Sequence, residues 1–278
     1  MTARKSGRAD QEWTSLCERI QKLVSLGVRE EAWYLLIAAA LVGAPEPDLL
    51  ASFYTYLTTG DREYAAKDRA EHLSLRFRDV VLKAIPLIGM PRVLCVFSPL
   101  AKAEGQLESR AKASKLTKKW HPVNIDVQQI HDRGAATADT IYGPVLLPKI
   151  FDTWGSHKED MRFNELFVAY GLYLSDFEVM TPLETEVVVY STISCLGLRG
   201  PGLWHLRGIG RLLGARGDGA GLSHDERIGG ILKQTTGLKS AVAEVVAFVG
   251  EDFMNAANVK AWASNDDVVR ELGGWGED

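Results

Sequence analysis

Apolar residues recur along most of the chain at the three- and four-residue spacing of an amphipathic α-helix. The first stripe comprises Trp13, Leu16, Cys17, Ile20, Leu23 and Val24. Residues 29–42 are almost all apolar, which is typical of a helix that is buried on every side. The β-branched run at 187–189 lies within a window of helical period. The pattern therefore predicts an all-α fold.

Helical stretches alternate with polar or proline-containing breaks over the whole length. The other predicted helices are 49–57, 67–85, a helix ending near 105, 142–154, 164–175, 183–196, 203–215, 223–235 and 239–255. The break at 106–132 is polar and contains four lysines between residues 112 and 119. We interpret it as a linker over the surface, with a polyanion-binding site as the alternative.

Two parts of the chain resemble each other, which indicates an internal duplication. At an offset of 154 residues, the matched pairs are 30–41 with 184–195, Pro47 with Pro201, and Leu49 with Leu203. After a four-residue gap the offset is 150, and the matched pairs are 81–83 with 231–233 and Ile88 with Leu238. Most identities are apolar, so chance agreement between helices is the alternative. We predict two tandem related helical modules, arranged as an N-terminal helix at 1–27, a first half at 28–105, the linker at 106–132, a second module at 133–255, and a tail at 256–278 that is frayed at its end.

Composition and charge argue against several classes of protein. The 278-residue chain is 46% apolar and 24% charged, ordinary values for a globular protein, and its net charge of −4 offers no basic face to nucleic acid. The longest apolar run, 32–44, is too short to cross a bilayer, and no apolar segment follows the basic residues near the N-terminus. We expect an intracellular, cytoplasmic protein without nucleic-acid or membrane partners. A mitochondrial or peroxisomal location is the alternative.

Cys17, Cys95 and Cys195 are far apart, and each lies in an apolar-rich stretch. This is typical of reduced, buried thiols and not of a disulfide framework. No two cysteines have Cys-x-x-Cys spacing and the six histidines are dispersed, so no metal site is predicted. The glycine-rich stretches 197–200 and 217–221 do not follow strands, so we interpret them as turns and not as phosphate-binding loops. No cofactor is expected.

Several short motifs occur in an order and spacing found in one superfamily. They are Arg133-Gly134, Ile141-Tyr142-Gly143, Leu183-Glu184-Thr185-Glu186, Trp204-His205-Leu206-Arg207-Gly208, Leu212-Leu213-Gly214-Ala215 and Ser223-His224-Asp225-Glu226-Arg227-Ile228, with Pro86-Leu87-Ile88-Gly89-Met90-Pro91-Arg92 in the first half. Through them the chain resembles the carboxymuconolactone decarboxylase-like and alkylhydroperoxidase-D-like (AhpD-like) superfamily, closely over 128–253 and more loosely over 28–104. The resemblance implies an AhpD-like helical bundle that assembles into a homo-oligomer, a dimer or larger.

Peroxidases of this superfamily share one sequence pattern. In it a Glu is separated by eleven residues from a Cys-x-x-Cys motif, which is separated by three residues from a His. Their thiolates reduce the peroxide, and the Glu and His move protons. Here Glu186 and His205 stand nineteen residues apart, as that pattern requires. The two cysteine positions fall on Leu198 and Pro201, which cannot form thiolates, so the Cys-x-x-Cys peroxidase reaction is excluded. The alternative is a peroxidase reaction at Cys195, which lies three residues before the first cysteine position of the pattern. This reaction needs an exposed thiol with a lowered pKa.

By this resemblance, Glu186 and His205 are expected to act as a general base and a general acid. Four aromatic side chains are expected to bind a flat apolar or aromatic substrate, namely Trp204, Tyr190, Trp154 and Tyr173. The predicted function is that of a cofactor-independent enzyme of small-molecule metabolism, including fungal secondary metabolism. It would be a lyase or isomerase that works by decarboxylation, isomerisation or cyclisation of a small carbonyl or carboxylate compound.

A structural role is the alternative for the same two residues. A buried pair of Glu186 and His205 would pin two helices together, and the chain would then be a non-catalytic AhpD-like protein that binds a ligand or assembles with a partner. At the offset of 154, the first half has Ala32 and Ala51 in their place. Because it lacks both proton carriers, we expect the first half to be structural or to shape a shared pocket.

Overall fold

The computed structural model describes residues 9–24, 32–105, 126–219 and 226–277. Regular secondary structure in these ranges is helical, apart from one isolated antiparallel bridge between Gly217 and Gly276. The all-α prediction is therefore confirmed. The described residues do not include the lysine-rich part of the predicted linker, the basic residues near the N-terminus, or residues 223–225 of the 223–228 motif.

The described ranges contain twelve α-helices and one π-helix. The α-helices are α1 (Asp10–Leu23), α2 (Ala32–Gly43), α3 (Leu49–Thr58), α4 (Lys67–Ile88), α5 (Met90–Glu104), α6 (Val127–Asp152), α7 (Lys158–Phe163), α8 (Pro182–Cys195), α9 (Arg199–Leu212), α10 (Glu226–Val249), α11 (Glu251–Ala257) and α12 (Asn265–Leu272). The π-helix, Asn164–Leu174, lies between α7 and α8. None of these helices is both long and apolar enough to span a membrane.

Helices α2 and α8 form the centre of the molecule and pack against each other. Every residue of α2 from 32 to 42 is buried, and so is every residue of α8 from 184 to 195. Complete burial of a large apolar side chain contributes about 1.5–3 kcal/mol, so these two helices supply much of the driving force for folding. The interpretation of the apolar run as a helix buried on every side is confirmed for its described part.

The same order of helices occurs twice, and the two sets pack reciprocally. Helices α2 to α5 correspond in order to α8 to α11, and in each set a long helix is followed at once by a shorter one. The long helix α4 packs on α8 as well as on its own α2, and α10 packs on α2 as well as on α8. The two halves therefore share one core.

The register of the two long helices differs from the predicted one. At an offset of 161, the buried residues Phe77, Val80, Val81 and Ala84 of α4 fall on the buried residues Leu238, Ala241, Val242 and Val245 of α10. This offset is eleven residues larger than the predicted 150, which is about three helical turns. A shift of three turns leaves the same face of the helix apolar, so the sequence pattern alone could not distinguish the two registers.

Several predicted boundaries are also corrected. Helix α6 includes residues 127–132, which were assigned to the linker, and α10 runs unbroken through the predicted gap at 236–238. Helix α4 continues through Pro86 to Ile88. Because the stretches around these points are polar or contain proline or glycine, local propensity favours a break there, and packing against neighbouring helices overrides it.

The C-terminal tail is packed, so the prediction of a frayed end is wrong for the described residues up to 277. The indole of Trp275 is fully buried. Arg207 donates hydrogen bonds to the carbonyl oxygens of Gly274 and Trp275, each over 2.7 Å. A Cβ at Gly210 would lie 2.1 Å from Nε1 of Trp275, so the indole packs where that residue has no side chain. A single apolar residue among glycines and acids carries no periodicity that would predict this contact.

A buried ionic network joins α4 to the segment that leads into α8. Arg76 Nη2 donates to Oε1 of Glu184 over 2.6 Å, and Lys83 Nζ donates to the carbonyl of Asp176 over 2.6 Å. Lys83 Nζ also lies 3.7 Å from Asp79 Oδ2. Burial raises the pKa of Asp79 to about 6 and lowers the pKa of Lys83. For Glu184, the N–H of Thr181 and the Arg76 guanidinium outweigh the effect of burial and lower its pKa.

Candidate active site

Glu186 and His205 lie side by side in the structure. The distance from His205 Nδ1 to Glu186 Oε1 is 2.6 Å, and their side chains are 5% and 1% exposed. Glu186 sits in the first half of α8, whose start is fixed by Pro182 at its first turn and by a capping box between Thr181 and Glu184. A Cβ at Gly208, one turn after His205, would lie 2.7 Å from Glu186 Oε1, so this glycine lets α9 approach the carboxylate.

Two buried tyrosines extend this pair into a chain of four hydrogen-bonded groups. Tyr170 donates its hydroxyl proton to the oxygen of Tyr142 over 3.0 Å, and the Tyr142 oxygen lies 3.3 Å from His205 Nε2. An imidazole that donates from Nδ1 to a carboxylate keeps a lone pair on Nε2. We therefore assign a consistent direction to the chain, with Tyr170 donating to Tyr142, Tyr142 to His205, and His205 to Glu186.

A kink in α6 positions Tyr142. Gly143 has φ 75° and ψ 167°, a conformation that L residues rarely adopt, and Pro144 follows it directly. The carbonyl oxygen of Tyr142 accepts a hydrogen bond from Arg207 Nη1 over 2.6 Å. Arg207 also holds the C-terminal segment, so one buried guanidinium connects the tail of the chain with the Tyr142 backbone.

The π-helix positions Tyr170, and it lies very close to α6. A Cβ at Gly134 would lie 2.0 Å from the carbonyl oxygen of Leu166, and one at Gly171 would lie 2.7 Å from the carbonyl oxygen of Ile130. Only glycine permits this approach of two helix backbones. π-Helical turns are rare and occur often at functional sites.

A pocket of about 240 Å³ opens beside His205. Its walls come from α4, α6, the π-helix, α8 and the start of α9, so both halves of the chain contribute to it. The lining residues are Pro86, Leu87, Tyr142, Leu147, Ile150, Phe151, Trp154, Glu165, Ala169, Tyr170, Leu174, Ile193, Leu198, Pro201, Trp204 and His205. A smaller cavity of about 120 Å³ lies on the other side of Glu186 and shares Tyr170 and Leu174 with the first. Glu186 itself lines the smaller cavity and not the larger pocket, and it is hydrogen-bonded to Nδ1 of His205.

The structure brings two of the four expected aromatic residues to this pocket. Trp154 and Trp204 line it, as do Leu198 and Pro201, which occupy the cysteine positions of the superfamily pattern. The expected binding roles of Tyr190 and Tyr173 are not supported. Tyr190 is buried in the main core, and Tyr173 packs beside the pocket without lining it. Helix α8 is buried on all sides, so its sequence could not show which of its faces meets the pocket.

Three residues of the site were not identified from the sequence: Tyr142, Tyr170 and Glu165. Tyr142 lies within a motif of the resemblance, directly before the Gly-Pro pair that kinks α6, and that pair was the available signal. Burial raises the pKa of Glu165, and the nearby His205 opposes the rise. Burial also raises the pKa values of Tyr142 and Tyr170 well above the ordinary value. Both phenols therefore remain proton donors at neutral pH.

The three thiols are in different environments. Cys17 and Cys195 are buried as expected, and burial raises the pKa of both, to about 12 for Cys17. Cys95 is exposed, so the expectation of burial is wrong for it. It lies on the outward face of the amphipathic helix α5, whose buried positions are Val93, Val96 and Leu100. Cys195 is thus neither exposed nor lowered in pKa, which removes the basis for a peroxidase reaction at this thiol.

Thiol titration of the native protein is expected to modify one cysteine per chain rapidly and all three after denaturation. The physical reason is that a reagent reaches a thiolate, and only Cys95 is accessible. Ellman's reagent measures the stoichiometry, and Cys95→Ser is the control that should remove the fast phase. Rapid modification of either remaining thiol in Cys95→Ser would contradict the buried placement of Cys17 or Cys195.

Comparisons with known proteins add no further assignment. No protein-family model, curated protein or solved structure matches this chain. Within the described residues, no group of three or more His, Cys, Asp or Glu side chains could hold a metal ion. The functional argument therefore depends on the geometry around His205.

Proposed function

We propose that this chain is a cofactor-independent enzyme that transfers protons within a small, flat, mainly apolar compound, as a lyase or isomerase of the carboxymuconolactone decarboxylase-like kind. One observation carries the proposal. The imidazole of His205 lines a pocket of about 240 Å³ while Glu186 holds its Nδ1 from behind at 2.6 Å. A carboxylate in that place fixes the tautomer and stabilises the imidazolium that forms when Nε2 accepts a proton.

The chain of hydrogen bonds indicates which contact the substrate replaces. The 3.3 Å bond between the Tyr142 hydroxyl and His205 Nε2 is the longest of the three bonds and the weakest by distance. A substrate C–H or O–H bond can take its place and transfer its proton to Nε2. The Tyr142 hydroxyl is then available to donate a hydrogen bond to the oxygen on which negative charge develops.

The balance of atoms fits either class of reaction. In an isomerisation, the proton taken by His205 returns to a different atom of the same substrate. In a decarboxylation, His205 Nε2 first accepts the proton of the substrate's carboxylic acid group, the bond to the carboxyl carbon breaks, carbon dioxide leaves, and the resulting carbanion takes that proton back from the imidazolium. When a substrate fills the pocket, it displaces water from the apolar walls, which strengthens the charge interactions at His205 and Tyr142.

A non-catalytic binding or assembly role is the second candidate, and the burial of Glu186 and His205 favours it. A nearly fully buried hydrogen bond between His205 of α9 and Glu186 of α8 fixes the relative position of the two helices whether or not a reaction occurs. In that case the pocket would bind a ligand without converting it. The two functions can be distinguished by measuring whether the exchange of substrate protons depends on His205.

His205→Gln is expected to lower the rate of proton exchange by about 10²–10⁴-fold. A set of small aromatic and cyclic carbonyl compounds is incubated with the protein in D₂O, and loss of their C–H signals is followed by NMR. Glutamine can replace a hydrogen bond of the imidazole but cannot accept and return a proton at neutral pH. Glu186→Gln, which keeps an oxygen next to Nδ1, is expected to reduce the rate less than His205→Gln does.

The exposed residue His157 provides the matched control, because His157→Gln changes the same residue type at a position that is not part of the hydrogen-bonded chain. Exchange at the wild-type rate by a folded His205→Gln protein would contradict the proposed function. Loss of thermal stability in His205→Gln without His205-dependent exchange of any compound would favour the binding or assembly role.

A further inference from the structure

Glu165 is the acidic group of the pocket that the proposed reaction does not use. It lies in the first turn of the π-helix and lines the same pocket as His205. Glu184 and Glu186 both bind a cationic or imidazole side chain. By contrast, the side chain of Glu165 has no hydrogen-bond or ion-pair partner among the residues that the structure describes. An unpartnered carboxyl group in a largely apolar pocket indicates a partner that arrives with the ligand.

The charge of the pocket favours a cationic partner. Its described lining includes no lysine or arginine. The one group there that can become positive is His205, and Glu186 already balances it at 2.6 Å. A ligand that carries a carboxylate and no cationic group would therefore enter beside Glu165 without a compensating cation, which is costly in a largely apolar site.

The aromatic walls point to the same class of ligand. Five rings line the pocket, those of Tyr142, Phe151, Trp154, Tyr170 and Trp204. The faces of aromatic rings attract organic cations, and tryptophan attracts them most strongly. A carboxylate together with several rings is a suitable environment for a protonated amine.

We propose that the pocket binds an organic cation, in which a protonated amine at Glu165 is joined to a small apolar or aromatic body. This inference rests on the proposed function, because it places the ligand in the pocket where His205 would act on it. A dry protein cavity of about 150 Å³ holds one benzene ring. The pocket of about 240 Å³ therefore has room for one ring and an aminoalkyl arm.

Calorimetry with three probes of nearly the same shape tests this inference: benzylamine, benzyl alcohol and benzoate at neutral pH. Benzylamine, protonated at that pH, is expected to bind about tenfold or more tightly than benzyl alcohol, and benzoate should bind most weakly. Glu165→Gln keeps the size of the side chain and removes its charge. In this variant the preference for benzylamine over benzyl alcohol should fall by about fivefold or more, and the aromatic rings account for the preference that remains.

Three results would overturn the inference: equal or tighter binding of benzyl alcohol or benzoate, an unchanged amine preference in Glu165→Gln, or no measurable binding of any probe. The comparison of probes on the wild-type protein does not depend on the folding of a variant. His205→Gln separates this inference from the proposed function. It should keep the amine preference while losing proton exchange, so a failure of either measurement identifies which proposal is wrong.

Discussion

Replacement of Arg76 by methionine is expected to lower the free energy of unfolding by about 3–5 kcal/mol. Arg76 Nη2 lies 2.6 Å from Glu184 Oε1, and both side chains are 1% exposed. Methionine fills a similar volume but leaves the carboxylate of Glu184 buried without its cation. The substitution also removes the hydrogen bond that Arg76 donates to the carbonyl of Val179.

Urea-induced unfolding measures this loss, and the exposed pair of Arg69 and Glu63 supplies the control. That pair has a similar distance of 3.0 Å, but its side chains are 48% and 60% exposed. Arg69→Met should therefore cost less than about 1 kcal/mol. Adding Glu184→Gln to Arg76→Met should recover part of the loss, because the uncompensated charge is removed. Equal effects of Arg76→Met and Arg69→Met would show that the buried pair does not contribute as the structure indicates.

Gly134→Ala is expected to destabilise the protein by about 1–3 kcal/mol and to loosen the π-helix. The added Cβ would lie 2.0 Å from the carbonyl oxygen of Leu166 and 2.9 Å from Cα of Gly171. Both contacts are with backbone, which cannot rotate away as the end of a side chain can. The π-helix must therefore move from α6, and the hydrogen bond between Tyr170 and Tyr142 should lengthen or break.

Gly230→Ala provides a control in which the free energy of unfolding is expected to change in the opposite direction. Gly230 is an exposed residue within α10, and a Cβ added there meets nothing within 4 Å. Alanine has the higher helix propensity, so this variant should gain up to about 1 kcal/mol. Urea unfolding gives both free energies, and amide hydrogen exchange reports on residues 164–174. Wild-type protection of these amides in Gly134→Ala would contradict the close packing of the π-helix on α6.

The parts of the fold that follow from local periodicity could be predicted from the sequence. The central helices α2 and α8 have long apolar runs, so their burial was evident without any partner being known. The spacing of Glu186 and His205 also placed them on two consecutive helices. Their distance of 2.6 Å depends on the glycine at 208, whose effect appears only when α9 is packed on α8.

The rest of the site depends on contacts between residues far apart in sequence. Tyr142 approaches His205 because Gly143 kinks α6, and Tyr170 approaches Tyr142 because two glycines let the π-helix lie against α6. No sequence period distinguishes such a π-helix from the α-helix predicted at 164–175. The same reasoning explains why the burial of Trp275 was missed, since its partners Arg207 and Gly210 lie more than sixty residues earlier.

The reciprocal packing of the long helices has a consequence for the independence of the two halves. Helix α4 covers α8, which carries Glu186, and residues Pro86 and Leu87 of α4 line the pocket. The first half, which has no counterparts of Glu186 and His205, thus covers part of the site that these two residues form in the second half. If the chain were divided into two fragments, each central helix would expose an apolar face, and neither fragment could form the complete pocket. We therefore expect the molecule to unfold as one cooperative unit, in which damage to α4 at Arg76 also affects His205.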